Sequence, residues 1–256
     1  MVDALLPHGV SPFIALLLVA VSFLTSALSA AFGIGGGMAM LGALAGTAPP
    51  ALIVGVHGLV QLGSNTGRAL LQRVHVVWPL VWRFLAGSIA GVALGAALFQ
   101  ALPTRLLLLT LGLFILAMTW LPKPRIPGLE RAGLVAGGAI STFLTMFIGA
   151  TGSFVQALLL PMALTRQQLI ATDAMCMTIQ HALKTVAFVT MGVALLPWLP
   201  LIGAMVAAGF AGTVLGSRLL DRLSEASFRA VLRVVLTLIG LDLLRQAAGW
   251  RLPWPG

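Results

Sequence analysis

Apolar stretches of about 20 residues, the length a bilayer-spanning helix needs, follow one another along this chain with few interruptions. They occupy residues 12–31, 51–72, 78–101, 104–121, 130–148, 167–190, 197–219 and 226–247. Two shorter apolar pieces, 38–48 and 153–163, each follow a Gly-rich break. At about 1.5 Å per residue, each short piece reaches roughly half the hydrocarbon thickness as a helix. The pattern predicts an all-α polytopic membrane protein, with eight long helices and two short segments.

Polar positions within these stretches are sparse, and they recur. Phe32-Gly33-Ile34-Gly35-Gly36-Gly37 precedes a helix carrying His57, Ser64 and Arg68. Phe147-Ile148-Gly149-Ala150-Thr151-Gly152 precedes a helix carrying Asp173, Gln180 and Lys184. Both triplets are spaced by seven and four, and each residue lies 116 positions from its counterpart. A second match pairs Gly87, Gly91 and Gly95 with Ala208, Gly212 and Gly216. Small residues at four-residue spacing let membrane helices approach closely, so these glycines read as packing positions. The duplication divides one membrane domain into a first repeat, 1–125, and a second, 126–256, as in transporters built from two halves.

Loop charge bears on whether the short segments cross. If they do not, basic residues divide seven against five between the two sides. If they do, Arg73, Arg83, Lys123, Arg125, Arg131, Arg166, Arg218, Arg222 and Arg229 share one side, against Arg105, Arg245 and Arg251. Nine against three is the asymmetry expected of cytoplasmic loops. Five segments per half also place the halves in opposite orientations. The expectation is two inverted repeats with both termini outside the cytoplasm.

Composition agrees with the membrane reading, since 59% of residues are hydrophobic and 8% charged, against about 25% charged in soluble domains. The net charge of +9 reads as orientation signal, with no nucleic-acid partner implied. Tyrosine is absent, so Trp78, Trp82, Trp120, Trp198, Trp250 and Trp254 are the candidates for interfacial anchors. Cys176 is the single cysteine, and the four histidines form no i, i+4 pair. No metal site and no cofactor are implied.

The candidate chemistry lies in the breaks and the two polar helices. Gly35, Gly36 and Gly37 in the first repeat, and Gly149, Thr151, Gly152 and Ser153 in the second, would offer backbone amides, hydroxyls and a helix N-terminus to an anion. Eleven residues at 100° return within 20° of the start, so His57 and Arg68 share a helix face with Ser64, widened by Gln61 and Asn65. The counterpart face carries Asp173, Gln180 and Lys184, with Thr172 and His181 beside it. A charge at the helix centre costs about 3 kcal/mol on insertion scales, so such residues face partners or a cavity. Arg68, close to its helix end, is either a binding residue or a snorkelling interface anchor. Asp173, His57 and His181 are candidates for proton coupling.

The Phe-Gly-Ile-Gly-Gly-Gly run at 32–37, its echo at 147–152, Pro161 and the paired repeats resemble the TauE/SafE family of sulfite and organosulfonate exporters. The resemblance covers about residues 13–247. It implies a multi-pass carrier of the bacterial inner membrane for sulfite, taurine-related sulfonates or sulfoacetate. Its partners would be a small anion, the lipid bilayer and, where it forms a homodimer, a second copy. Gly149-Ala150-Thr151-Gly152 replaces the family's more usual Gly-rich triplet, and His57 stands where a small or hydroxyl residue is common.

The expected function is a secondary transporter that exports a small sulfur-containing anion under an ion gradient. An anion channel, or a carrier for another small anion, is the alternative. An enzyme is not expected: Ser64 and His57, seven residues apart on one helix, make a poor dyad, and no pair of carboxylates with metal ligands is present.

Overall fold

A computed structural model describes residues 6–7, 9–32, 36–45, 47–101, 103–121, 131–148, 151–219 and 225–249. Among them no strand occurs, and the chain forms ten α-helices. These are α1 (Pro12–Phe32), α2 (Gly36–Leu44), α3 (Pro50–Leu71), α4 (Trp78–Ala101) and α5 (Thr104–Trp120) in the first half. The second half holds α6 (Arg131–Ile148), α7 (Gly152–Leu159), α8 (Arg166–Thr190), α9 (Leu199–Leu219) and α10 (Glu225–Ala247). The short apolar pieces are therefore helical as well, α2 with nine residues and α7 with eight. The all-helical expectation holds.

Local sequence explains where the two polar helices begin. Pro49 and Pro50 start α3, with Pro50 in the first turn, where its missing N–H costs nothing. Thr165 caps α8 through a reciprocal box: Gln168 N–H donates to Thr165 Oγ1 at 3.2 Å, and Thr165 N–H donates to Gln168 Oε1 at 3.1 Å. Beyond α7 a 3-10 turn over Leu160–Met162 carries Pro161 and ends at Ala163 in the left-handed region, φ 51°.

Helices from the two halves pack in matching pairs. α1 lies on α9 as α6 lies on α4, α3 on α8, and α5 on α10. The small-residue stripes sit at these contacts. A Cβ on Gly91 would strike the Ala139 carbonyl, and one on Gly212 would strike the Phe23 carbonyl. Those two contacts are counterparts across the repeat, since Ala139 and Phe23 also lie 116 positions apart. Close backbone approach accounts for glycine here.

Chain direction can be read from the same contacts. Gly87 faces Val135 and Gly91 faces Ala139, so α4 and α6 run the same way. Gly55 faces Phe188 and Gly58 faces Lys184, so α3 and α8 run oppositely. At the far end of α3, Val77 N–H donates to Thr172 Oγ1 at 3.0 Å, near the start of α8. α5 and α10 are opposed too, with Gly112 beside Gly240 and Leu244 while Trp120 Nε1–H donates to Thr237 Oγ1 at 2.9 Å.

Three stretches of the described residues are both long and apolar enough to cross a membrane by themselves: Pro12–Ala30, Trp78–Phe99 and Leu196–Leu215. α3 and α8 miss that description because of the polar residues they turn inward. Their buried sets include His57, Asn65 and Arg68 on α3, and Asp173, Gln180 and Lys184 on α8. Apolar side chains fill the interior around them in two clusters. One joins Leu18, Met40, Leu41, Val56, Met146, Phe188 and Met205, and the other joins Val81, Phe84, Leu134, Val155, Leu159 and Cys176. Trp78, Trp82 and Trp120 are exposed, as interfacial anchors require, but Trp198 is 3% exposed and belongs to the first cluster. Its place at a segment end does not make it an anchor, because the turn before α9 folds it inward. Trp250 and Trp254 lie outside the described residues.

Candidate functional site

The α3–α8 contact brings the polar faces of the two halves together, and it divides them into two groups. The first gathers on α1, α3 and α8. Arg68 Nη2 donates to Asn65 Oδ1 at 2.6 Å, and Nη1 donates to the Ser29 carbonyl at 3.4 Å. Asn65 Nδ2 donates to the Gln61 carbonyl at 2.7 Å and to Gln61 Oε1 at 3.3 Å. The Ser64 hydroxyl lies 3.2 Å from that of Ser26. Arg68 is 6% exposed and turned inward, so it is not a snorkelling anchor. Asp173, also buried, lies within electrostatic reach of it. Asp173 Oδ1 has no hydrogen-bond partner.

The second group centres on Lys184, whose side chain is fully buried. Gly58 on α3 makes room for it. A Cβ there would come 2.6 Å from Lys184 Cε and 3.4 Å from Nζ. His57 and His181, both fully buried, lie within reach of the Lys184 charge. Their rings meet edge to face with centroids 5.9 Å apart. His57 Nε2 is 2.9 Å from the Gly37 carbonyl in the first turn of α2, which ties this group to the first break. Lys184 Nζ, His57 Nδ1, both ring nitrogens of His181 and Thr185 Oγ1 have no hydrogen-bond partner among the described residues. In low dielectric an unpaired charge costs several kcal/mol. Among the described residues the Asp173 charge acts on Arg68, and no carboxylate acts on Lys184.

The remaining candidates have their own partners. Gln180, one turn before Lys184, accepts from Ser141 Oγ at 2.7 Å through Oε1 and donates through Nε2 to Thr151 Oγ1. That links α8 to α6 and to the residue before α7. Thr172 accepts from Val77 N–H. Gly36 is pressed against α1, where a Cβ would meet Ser29 Oγ and the Thr25 carbonyl. A Cβ on Gly37 would lie 3.6 Å from Gln61, and one on Gly152 would lie 3.7 Å from Met177. Gly35, Gly149 and the Ser153 side chain lie outside the described residues.

Sequence reasoning missed the hydroxyls of the helices before the breaks. Ser22, Thr25, Ser26 and Ser29 on α1, and Ser141, Thr142 and Thr145 on α6, are all buried. Thr25, Ser26 and Ser29 are the counterparts, 116 positions back, of Ser141, Thr142 and Thr145. Spacings of three and four put them on one face of each helix, and that signal was present in the sequence. Thr142 Oγ1 and Thr145 Oγ1 have no partner in the protein.

Residues 18–243 match the family described as Sulfite exporter TauE/SafE. The chain belongs to the TauE/SafE family. No match was found among curated proteins or among solved structures. Membership of that family implies a membrane transporter of sulfur-containing anions.

Proposed function

We propose that this TauE/SafE protein is a secondary transporter that exports sulfite or an organosulfonate across the bacterial inner membrane, coupled to an ion gradient. One observation carries this reading. Lys184 is a fully buried basic side chain at the contact of the two repeats, within electrostatic reach of His57 and His181, and its Nζ has no hydrogen-bond partner among the described residues. An anion arriving there would supply the counter-charge that the fold withholds. Arg68 instead donates to Asn65 and the Ser29 carbonyl, with the Asp173 charge acting on it from a distance.

The antiparallel courses of α3 against α8 and of α5 against α10 support inverted repeats with ten membrane segments. Two such halves can rock about a site shared between them. The first repeat's Gly37 contacts His57 and Gln61, and the second repeat's Gln180 donates to Thr151, so Gly37, Gln61, Gln180 and Thr151 are candidates for the rest of the site. Asp173, His57 and His181 are the titratable groups available for proton coupling.

Flux in proteoliposomes tests the proposal with labelled sulfite, taurine and sulfoacetate, each with and without a pH gradient. Saturable flux of at least one substrate, accelerated by the gradient, is the expected result. Unsaturable, electrogenic flux indifferent to the gradient identifies a channel and overturns it. Absence of flux for all three overturns it as well.

A further inference from the structure

His57 has one ring nitrogen committed and one free. The Gly37 carbonyl can only accept, so Nε2, 2.9 Å away, carries the hydrogen and donates it. In the neutral ring the other nitrogen, Nδ1, is then a bare lone pair. It is buried and has no hydrogen-bond partner among the described residues. A bare lone pair repels a fully ionised oxyanion and accepts a hydrogen bond from a protonated one. Lys184 offers donors alone, and neutral His181 offers one donor and one acceptor.

We propose that the site takes its oxyanion singly protonated, as hydrogen sulfite, with the substrate's proton directed at His57 Nδ1 and its charged oxygens at Lys184. This rests on the transporter reading above and names the ionic form carried. The proton then crosses on the substrate itself, and His57 acts as a specificity-determining residue that reads it. The groups acting on His57 are Lys184 and His181 from α8 and the Gly37 carbonyl from α2. Arg68, on its own helix, is engaged by Asn65, Ser29 and Asp173.

The purified full chain in detergent tests the idea through competition against bound labelled sulfite. Methanesulfonate is a monoanion of similar size with no acidic proton, and its comparison with hydrogen sulfite isolates the hydrogen bond. Sites built to pair a substrate hydroxyl reject the analogue lacking it by up to about 10⁴-fold, and a preference of at least tenfold for hydrogen sulfite is expected. His57→Asn keeps an acceptor near the Nδ1 position and should keep the preference. His57→Gln keeps a donor for Gly37, loses the Nδ1 acceptor, and should lose the preference while still eluting as a folded species.

Equal competition by the two anions in the parent protein overturns the inference. So does a preference that survives His57→Gln unchanged. In either case the transporter reading stands, because sulfite still binds. Failure of the parent to bind any of the labelled sulfite overturns the inference, and the transporter reading then stands or falls on the flux of taurine and sulfoacetate.

Discussion

Two cations occupy equivalent places in the repeats, yet their surroundings assign them different work. Arg68 is held by Asn65 and the Ser29 carbonyl and feels the Asp173 charge, whereas Lys184 Nζ has no hydrogen-bond partner among the described residues. Removing a partnered buried charge strands the groups around it at a cost of about 3–5 kcal/mol. Removing an unpartnered one relieves a desolvation penalty. Arg68→Ala should therefore lower the melting temperature in detergent, and Lys184→Met should leave it unchanged or raise it. A destabilised Lys184→Met would mean that Lys184 is structural. Lys184 was legible as an inward residue, because sevens and fours at matching positions in an apolar chain select one face, whereas Arg68, close to its helix end, read equally well as an interface anchor. Which cation was free was not legible, since it depends on Asp173 and His57 arriving from opposite repeats.

At the scale of the helix, glycines that look alike in sequence separate by what a Cβ would meet. Gly91 and Gly212 lie against backbone carbonyls of the neighbouring helix, where nothing can yield. Gly203, on the same helix as Gly212, has nothing within 4 Å. Gly91→Ala and Gly212→Ala should each destabilise by about 1–3 kcal/mol through overpacking, and Gly203→Ala should be neutral or slightly stabilising. Thermal unfolding monitored in detergent would show the contrast, and equal effects at all three positions would contradict it. The stripes themselves were readable as packing from four-residue spacing. The hydroxyl stripes on α1 and α6 went unread because serine and threonine hide easily in a transmembrane helix by bonding to its own carbonyls, as Thr25 does to Ser22 at 3.3 Å.

At the scale of the molecule, every apolar segment became a helix close to its expected bounds, because length and uninterrupted apolarity constrain membrane segments strongly. The pairing of α1 with α9 and α4 with α6 was not readable, since it arises from carbonyl-to-glycine contacts between distant parts of the chain. Topology is testable with single cysteines at Val74, exposed between α3 and α4, and at Ala194, exposed between α8 and α9. Ten crossings put these two on opposite faces of the membrane, and eight crossings put them on the same face. Labelling of intact cells with an impermeant maleimide should reach Ala194→Cys and spare Val74→Cys.

The central claim is that Lys184 holds the transported anion at the contact of the two repeats. Its most direct test is counterflow of labelled sulfite in proteoliposomes, comparing the parent protein, Lys184→Met and Gly203→Ala at equal reconstituted amounts. Counterflow is expected in the parent and in Gly203→Ala, with a loss of at least tenfold in Lys184→Met. Undiminished counterflow in Lys184→Met would contradict it.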